Sequence, residues 1–331
     1  MPTVVGKQVG PIGYGLMGLG HSPSDEVSFA AIKAAIEAGC TFLNGAEFYG
    51  PNRDENSLTL LRRYFAKYPA DVAKVVINIK GGRDFDAPGL QFKCSNEAVA
   101  AGIEHTLEQL GSSARIAQWG VARKDPNHDY EDETLATIDS YVKAGKIDGI
   151  TTSEINQDTL RSAAKKFRIT AVEMELSLFY PEAIKNGMLA ACAELDIPVI
   201  AYSPLGHGIL GGQIKSAKDI SEGDPRRMWP TYQGANLEAN LALLEKVEKL
   251  AEKKGCSPAQ ISINWLVALS QQPGMPTIIP IPGSTNPARI RENATLVDLT
   301  PQDMADLDET LKSFSMAGDR YPAANMHQLQ L

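Results

Sequence analysis

Eight short apolar segments recur along the 331-residue chain, and a longer amphipathic segment separates each one from the next. In chain order they are PIGYGL, CTFLN, KVVINIK, RIAQWGV, KIDGITTS, ITAVEMELS, IPVIAYS and TIIPIP. Strands that alternate with helices along a whole chain form parallel β/α units. Eight such units fit a closed (β/α)8 barrel, so we expect an α/β TIM barrel with its active site at the carboxyl ends of the strands.

The segments outside this repeat predict how the barrel is completed. The leading TVVGKQV is expected to form an N-terminal β-hairpin that closes the lower end of the barrel. Residues 222–236 form the longest polar interruption, which includes Trp229 and Tyr232, and long irregular loops are usually lids or binding loops. The C-terminal GDRYPAANMHQLQL is expected to cover part of the same mouth. No linker-like segment interrupts the chain, which predicts one domain over residues 1–331.

Charge and cysteine content argue against several classes of protein. The formal net charge of −8 is unfavourable for binding the phosphate backbone of a nucleic acid. The four cysteines are widely scattered and lack metal-site spacing, so neither a metal nor a disulfide framework is expected. We see no signal peptide and no apolar run of membrane-spanning length. These features predict a reduced cytoplasmic protein, with a nuclear location also compatible, and they specify no oligomeric state.

A tyrosine and a lysine follow two neighbouring predicted strands. Tyr49 lies just beyond the second strand, in NGAEFYG, and Lys80 ends the third, in VINIKGG. A free phenol has a pKa of about 10, which is too high for efficient acid catalysis near neutrality. A nearby ammonium group favours the phenolate and lowers that pKa. The pair is therefore a candidate proton donor, although two unrelated surface residues would give the same letters.

Two further segments indicate ligand binding with different strength. IPIPGSTNPARIREN follows the eighth strand and opens a helix at Asn286 or Pro287, and a helix N-terminus beside an arginine binds anions. An ordinary helix with a surface arginine is the alternative. GYGLMG matches the dinucleotide-binding pattern G-x-G-x-x-G, but the second strand ends at Asn44 where a Rossmann unit needs an acidic residue. These glycines are better explained by close approach of the backbone at a strand end.

Taken together, the motifs resemble those of the aldo-keto reductase family over essentially the whole chain. The matching segments, in the expected order, are NGAEFYG, VINIKGG, QWGVARKD, ITTSE, AVEMELSLF, AYSPLGHGIL and IPIPGSTNPARIREN. The pattern is most similar to the fungal pyridoxal reductase branch. This resemblance implies a (β/α)8 barrel that reduces carbonyl groups with NADPH (NADP+) and without a metal.

The resemblance also implies roles for individual residues. Tyr49 matches the general acid, Lys80 the lysine that acidifies it, and Asn44 stands at the third catalytic position. Ser153 matches the serine that holds the nicotinamide carboxamide, while Glu154 and Glu173 stand where many members have Asn and Gln. The implied cofactor-binding residues are Leu16, Met17, Ser153, Glu173, Tyr202, Ser203, Pro204, Leu205, Gly206, His207, Leu210, Gly283, Ser284, Thr285, Arg289 and Asn293. The candidate substrate-pocket residues are Phe48, Trp119, Ala122 and Arg123, with Tyr14 also near a strand end; Phe48, Trp119 and Tyr14 would fit a core equally well.

Several positions depart from the family pattern. Asn44 replaces the usual Asp, and Ala122 replaces the usual His that orients the carbonyl. Because Asn44 can hydrogen-bond Lys80 but cannot neutralise it, we expect Lys80 to carry an unpaired positive charge. Gly283 stands where many members have a lysine for the 2′-phosphate, and His207 stands where many have an arginine, so His207 is expected either to face the pyrophosphate or to be a loop residue with no ligand.

These residues predict an oxidoreductase that converts pyridoxal to pyridoxine with NADPH, a reaction of vitamin B6 metabolism. Two alternatives stay open from the sequence. One is a broad-specificity aldehyde reductase with the same chemistry. The other is a cofactor-binding regulatory subunit that resembles the potassium-channel β subunits, since the family's Asp and His are both replaced.

Overall fold

The computed structural model describes residues 1–22, 24–326 and 329, and its centre is a parallel eight-stranded barrel. All eight predicted strands are present. A two-stranded antiparallel hairpin, β1 (Thr3–Val4) and β2 (Lys7–Gln8), precedes them. The barrel strands are β3 (Tyr14–Gly15), β4 (Phe42–Ala46), β5 (Val76–Gly81), β6 (Gln118–Val121), β7 (Gly149–Ser153), β8 (Ile169–Glu175), β9 (Val199–Tyr202) and β10 (Ile278–Pro280).

The barrel strands pair in chain order, and hydrogen bonds join the first strand to the last. The Gly13 amide donates to the Pro280 carbonyl at 2.9 Å, and the Gly15 amide donates to the Pro282 carbonyl at 3.2 Å. The two edges approach so closely that a Cβ on Gly15 would lie 2.9 Å from the Ile281 carbonyl oxygen. The glycines of GYGLMG therefore let β3 meet β10, as the close-approach interpretation expected.

The hairpin closes the amino-terminal end of the barrel. Val4 and Val9 are buried against inward-facing residues at the starts of the strands, including Phe42, Val76 and Ile200. Side chains on one face of a strand alternate with those on the other, so the polar residues two and four positions after Val76 lie above this apolar floor. The hairpin and floor predicted from TVVGKQV are thus confirmed.

Amphipathic helices surround the barrel and bury their apolar faces against the outer side of the strands. Their starts follow the sequence signals: Ser24 caps the first helix, and Asn286 caps the helix that begins at Pro287. No helix among the described residues is both long and apolar enough to cross a membrane. The α-helices are α1 (Asp25–Glu37), α2 (Ser57–Lys67), α3 (Asn96–Leu110), α4 (Ala136–Lys143), α5 (Gln157–Lys166), α6 (Glu182–Lys185), α7 (Met188–Glu194), α8 (Gly234–Lys254), α9 (Pro258–Leu269), α10 (Pro287–Ala294), α11 (Pro301–Ser313) and α12 (Ala323–Met326).

Shorter helical turns fill the connections, mostly at the carboxyl end of the barrel. A π-helix, Tyr130–Leu135, leads into α4. The 3-10 turns are Met17–His21, Pro69–Lys74, Gly111–Ser113, Gly206–Gly211, Ala217–Asp219, Pro225–Met228 and Pro230–Tyr232. The last four of these belong to the long connection after β9, which contains the polar segment 222–236.

The tail after α11 returns to the barrel mouth. Its backbone is fixed at Ala317, whose amide and carbonyl both hydrogen-bond the Asn240 side chain, at 2.8 and 3.0 Å. Three residues later Arg320 enters the mouth and is only 4% exposed. The described part of the predicted tail therefore does cover the mouth, while residues 327, 328, 330 and 331 of that segment lie outside the described residues.

Candidate active site

Two adjacent strands, β4 and β5, and a strand across the barrel, β8, place polar side chains inside the barrel above the apolar floor. Asn44 lies on β4, Asn78 and Lys80 on β5, and Glu173 on β8, and each is at most 4% exposed. We call these four residues the strand cluster. They are at the carboxyl end of the strands, where the fold predicts the active site.

The strand cluster is held by direct hydrogen bonds and one ion pair. The Lys80 Nζ lies 2.8 Å from Glu173 Oε1 and donates to Asn44 Oδ1 at 2.5 Å. The Asn44 Nδ2 donates to Glu173 Oε2 at 2.7 Å, and the Asn78 Nδ2 donates to the same oxygen at 3.3 Å. The expectation that Lys80 carries an unpaired charge is therefore wrong, because Glu173 reaches across the barrel and supplies the carboxylate that Asn44 lacks.

The charge state of Lys80 follows from this environment. Burial by itself lowers the pKa of the ammonium group, but the Glu173 carboxylate and Tyr49 outweigh burial and raise that pKa above its ordinary value. The ion pair with Glu173 therefore favours the protonated form of Lys80. Glu173, predicted as a cofactor contact, has both carboxylate oxygens engaged within the strand cluster.

Tyr49 lies against this lysine, as predicted. The Lys80 Nζ is 5.0 Å from the centre of the Tyr49 ring, and the tyrosine is half-buried in the loop after β4. Phe48 packs edge-on against the Tyr49 ring at 5.3 Å and against Phe92 at 6.2 Å, so it is also part of the mouth. Ala122, at the end of β6, is buried and presents only a methyl group.

Two aromatic residues proposed for the substrate slot are core residues instead. Trp119 is fully buried between β5 and α3: a Cβ on Gly81 would overlap its indole, and one on Gly102 would lie 3.6 Å from it. Its assignment to the substrate pocket is therefore wrong. Tyr14 is buried as well, and its hydroxyl donates to the Ser284 carbonyl at 2.6 Å, which anchors the loop after β10. Arg123 is half-buried at the mouth, and its Nη1 donates to the Ala122 carbonyl.

A second group of charges lies beside the first and depends on the tail. The Arg320 guanidinium donates to Glu154 Oε2 and Oε1 at 2.8 and 2.9 Å, to the Tyr202 hydroxyl at 2.7 Å, and through Nε to Glu175. The Tyr202 hydroxyl in turn donates to Glu154 Oε1 at 2.9 Å. With His207 these residues form what we call the tail cluster (Glu154, Glu175, Tyr202, His207 and Arg320).

His207 belongs to this cluster through its side chain. Its Nε2 is 3.0 Å from Glu175 Oε1, its Nδ1 is 3.2 Å from Ser203 Oγ, and Trp229 packs edge-on against its ring at 4.7 Å. Both ring nitrogens therefore have protein partners, an arrangement that is compatible with the second alternative, a loop residue with no ligand. Trp229, which the sequence placed in a possible lid, also packs against Tyr321, with their ring centres 5.3 Å apart.

Opposite charges stabilise the ionised carboxylates of the tail cluster. Burial raises the pKa of Glu175, but His207 and Arg320 more than compensate and bring it to about 2. In the same way burial opposes ionisation of Glu154, and Arg320 lowers its pKa below the ordinary value. Glu154 and His207 also have left-handed backbones, with φ of 52° and 54°, a strained conformation that the cluster's contacts maintain.

The remaining predicted cofactor residues lie at the carboxyl end of the barrel, from Ser153 at the end of β7 to the start of α10. The Ser153 Oγ is buried and has no hydrogen-bond partner among the described residues, so it can bond a ligand amide. At the far end Ser284, Thr285 and Arg289 lie around the start of α10 with exposed or half-exposed side chains, and Asn293 is buried one turn further on. A Cβ on Gly283 would lie 3.1 Å from the Gly15 carbonyl oxygen. An orphaned hydroxyl, a close backbone approach and a basic helix start all fit a dinucleotide.

The predicted residues between these two positions differ in burial. Leu16 is buried and Met17 is exposed at the start of the loop after β3. The residues at the end of β9 and directly after it are buried or half-buried, and Gly206 has a φ of 54° and packs against the Phe179 ring. They are Tyr202, Ser203, Pro204, Leu205, Gly206 and Leu210.

Sequence reasoning missed Arg320 and Tyr321, and it missed the partnership of Glu175 with them. Arg320 is 145 residues from Glu175 and 166 from Glu154 along the chain, so no local spacing connects them. The available signal was chemical: Glu154 and Glu175 are carboxylates at the ends of buried strands, and buried charges require partners. A search for an unassigned arginine in the tail would have found one.

Comparisons with known proteins identify the family of this chain. The model of the aldo/keto reductase family matches residues 11–312. "Probable pyridoxal reductase 2" of Schizosaccharomyces pombe is 34% identical and covers 97% of each chain, and "Putative pyridoxal reductase" of Saccharomyces cerevisiae is 33% identical and covers 94% of this chain and 96% of its own. A solved structure of a glycerol dehydrogenase from Gluconobacter oxydans superposes with a TM-score of 0.80, at 20% identity, over 93% of both chains.

The solved structure, at 20% identity, supports the barrel fold alone. The family model and the two fungal relatives cover nearly the whole sequence and show the family. Members of this family generally use NAD(P)H. This chain belongs to the aldo/keto reductase family and is an oxidoreductase.

Proposed function

We propose that this protein is an NADPH-dependent reductase that converts pyridoxal to pyridoxine. The observation that carries the proposal is the contact between Tyr49 and a buried Lys80, paired with Glu173, at the carboxyl end of the barrel. An acid beside a fixed positive charge is the arrangement that carbonyl reduction requires, because negative charge develops on the carbonyl oxygen as it is reduced.

The residues divide the work of this reaction. When bound, NADPH would supply the hydride that reduces the carbonyl carbon. Tyr49 donates its phenolic proton to the carbonyl oxygen, and Lys80 stabilises the phenolate that this leaves. The unpartnered Ser153 hydroxyl would hold the carboxamide of the cofactor, and the apolar side chains of Phe48 and Ala122 would limit the access of water to the reacting atoms.

The preference for pyridoxal is supported by the relatives' names and by the small side chain of Ala122. Pyridoxal carries a hydroxyl next to its aldehyde, so the substrate brings a hydrogen-bonding group to the side of the pocket where this chain has only a methyl group. A larger polar residue at position 122 would compete for that space. A substituted aromatic ring therefore suits the site better than a short aliphatic aldehyde does.

The preference for NADPH is supported by the exposed Arg289 and the half-buried Ser284 at the start of α10. A helix N-terminus and a guanidinium together favour a phosphate group. The 2′-phosphate of NADPH gives the start of α10 a dianion to bind, which NADH lacks.

Steady-state kinetics with the purified protein test the proposal. Oxidation of NADPH should be measured with pyridoxal, benzaldehyde and 4-nitrobenzaldehyde, and the same series repeated with NADH and with Tyr49→Phe. We expect the highest kcat/KM for pyridoxal with NADPH, and a loss of turnover in Tyr49→Phe with NADPH affinity retained. Equal rates on all three aldehydes would show a broad-specificity reductase instead. Cofactor binding without turnover of any aldehyde would favour a regulatory role.

A further inference from the structure

We propose that Glu173 is a positioning residue for proton transfer: its carboxylate is the counter-charge that keeps Lys80 protonated beside Tyr49, with Asn44 as a neutral bridge between them. The inference rests on the proposed role of Tyr49 as the acid. It reassigns Glu173, which the family resemblance placed among the cofactor contacts, to the catalytic charge balance.

The contacts of Glu173 support this role directly. One carboxylate oxygen forms the ion pair with the Lys80 Nζ at 2.8 Å, and the other accepts from Asn44 Nδ2 at 2.7 Å and from Asn78 Nδ2 at 3.3 Å. Both oxygens are thus satisfied inside the strand cluster, and Glu173 is 3% exposed. A carboxylate with these partners is built to hold a buried cation.

Lys80 requires such a partner. The groups that face its Nζ are Glu173 from β8, Asn44 and the Gly45 carbonyl from β4, and Tyr49 from the loop after β4. Only Glu173 among these is a carboxylate, while the amide and carbonyl groups are neutral. Removal of one partner from a buried ion pair leaves an uncompensated charge, and a buried lysine responds by losing its proton. A neutral lysine would no longer stabilise the Tyr49 phenolate.

The geometry also shows that the carboxylate can be moved. Asn44 contacts both members of the pair, with its Oδ1 on Lys80 and its Nδ2 on Glu173. Exchange of the acid and the amide, by Asn44→Asp together with Glu173→Gln, keeps the number of heavy atoms and leaves one carboxylate beside the lysine. At present the Asn44 amide donates to the Glu173 carboxylate. In the double variant the glutamine amide at position 173 can donate to the aspartate carboxylate at position 44.

A four-protein comparison tests the proposal: the wild type, Glu173→Gln, Asn44→Asp and the double variant. For each protein, kcat/KM for 4-nitrobenzaldehyde with NADPH is measured between pH 6 and pH 10, and thermal unfolding is measured without substrate. We expect Glu173→Gln to lower kcat/KM by about 10- to 100-fold, the range of one charge-assisted contact. We also expect the alkaline limb of its profile to move to lower pH, because an uncompensated Lys80 either loses its proton earlier or favours ionisation of Tyr49.

The double variant supplies the sharpest readout. It should recover most of the lost activity, the wild-type position of the alkaline limb, and most of the unfolding temperature. Asn44→Asp alone places two carboxylates on one ammonium and should lower both activity and stability. If the carboxylate has only been relocated, each change should lower activity and stability alone, and the two together should recover both.

Glu175→Gln, with and without Asn44→Asp, is the matched control. Glu175 is a buried carboxylate two residues further along β8 that contacts Arg320 and His207. Asn44→Asp should not rescue this change. A double variant that is no better than Glu173→Gln overturns the proposal. So does a Glu173→Gln variant that weakens NADPH binding and leaves the pH profile in place, which would mark Glu173 as a cofactor contact.

The two kinds of readout separate this proposal from the proposed function. If the wild type reduces no aldehyde, the proposed function fails, and the role of Glu173 in proton transfer fails with it. The unfolding temperatures then still decide whether Glu173 is the counter-ion of Lys80: mutual rescue supports that assignment, and its absence overturns it.

Discussion

The two buried ion clusters at the barrel mouth are built in different ways. The strand cluster is formed within the barrel, since Lys80 and Glu173 lie on β5 and β8. The tail cluster is completed only when Arg320 arrives from beyond α11 and bonds Glu154 and Glu175. The charge beside Tyr49 is thus fixed by residues of the barrel strands. The charge beside Glu154 and Glu175 comes instead from the segment after α11.

The charge balance of the two clusters also differs. In the strand cluster one ammonium meets one carboxylate. In the tail cluster a single guanidinium bonds two carboxylates; His207 and Arg320 lower the pKa of Glu175, and Arg320 lowers that of Glu154. Loss of Arg320 would therefore remove a cation from two carboxylates, whereas loss of Lys80 would remove one from a single carboxylate. The comparison predicts that chemistry depends chiefly on the strand cluster, and that cofactor binding and stability depend on the tail cluster.

The largest effect is expected from Lys80→Met. Turnover of pyridoxal should fall by roughly 10²- to 10⁴-fold, because Tyr49 loses the charge that stabilises its phenolate. The free energy of unfolding should fall by about 3–5 kcal/mol, since Glu173 is left buried without a partner. Single-turnover kinetics and urea denaturation measure the two effects.

Adding Glu173→Gln to Lys80→Met separates these two contributions. The second change removes the stranded carboxylate, so stability should recover while turnover stays low. Recovery of turnover would mean that Lys80 has only a structural role, and the distinction between the clusters would be lost.

Arg320→Met should have the next largest effect, and of a different kind. We expect a loss of about 3–5 kcal/mol in the free energy of unfolding, because Glu154 and Glu175 lose their shared cation. NADPH and NADH should both bind more weakly, since Glu154 adjoins Ser153 and Tyr202 is itself a proposed nicotinamide contact. The rate of the chemical step should change by less than about tenfold, or about 1.4 kcal/mol. Urea denaturation, cofactor fluorescence titration and single-turnover rates give the three quantities.

Lys312→Met is the control for Arg320→Met. Lys312 lies near the end of α11, its side chain is 74% exposed, and it pairs with Glu309 at the surface. Exposed pairs of this kind contribute about 0–1 kcal/mol, so this variant should behave like the wild type. If Arg320→Met slows the chemical step as much as Lys80→Met does, the tail cluster also takes part in the chemistry, which would contradict the different roles assigned to the two clusters.

The same contrast explains how much the sequence could predict. The eight strands, the hairpin and the pairing of Tyr49 with Lys80 follow from periodicity and from positions at strand ends, which are local features of the chain. The contact between Lys80 and Glu173 does not, because it depends on which inward-facing side chains reach each other across the barrel. Trp119 was misplaced for a related reason: its strand position was known, but the face of the barrel on which its indole packs was not.

Arg320 was the hardest residue to predict. The tail has no repeating apolar pattern, and its path is fixed by two hydrogen bonds to Asn240 on α8. Such contacts have no local sequence signature. They become visible only when the partners of Glu154 and Glu175 are sought in the folded molecule.

The pH dependence of stability should show the tail cluster directly. The pKa of Glu175 is about 2 in the folded protein, below its ordinary value of 4.5, so its ionisation stabilises the fold above about pH 4.5. This stabilisation is lost as the pH falls from 4.5 towards 2. The advantage of the wild type over Glu175→Gln should therefore shrink by up to about 3 kcal/mol across that window, at 1.36 kcal/mol per pKa unit.

Urea denaturation at a series of pH values measures this difference, with Glu194→Gln as the control. Glu194 forms a surface pair with Arg161 and its side chain is 62% exposed, so its replacement should leave the pH dependence nearly unchanged. Parallel stability curves for the wild type and Glu175→Gln below pH 4.5 would show that Arg320 and His207 do not hold Glu175 ionised.

The smallest effect is expected from Arg289→Ala, and it extends the comparison to the start of α10. Arg289 is exposed on the first turn of α10, outside both clusters, and its proposed partner is a phosphate present only in NADPH. We expect the Kd for NADPH to rise about tenfold, or about 1.4 kcal/mol, and the Kd for NADH to stay within about twofold.

Arg291→Ala, two residues further along the same helix, is the control and should change neither value. Arg320→Met should instead weaken both cofactors by a similar factor, because the tail cluster adjoins the nicotinamide end that NADH and NADPH share. Fluorescence titration of both cofactors against the three variants decides the matter: if Arg289→Ala weakens NADH as much as NADPH, then Arg289 supports the local structure around α10 and does not select for the 2′-phosphate.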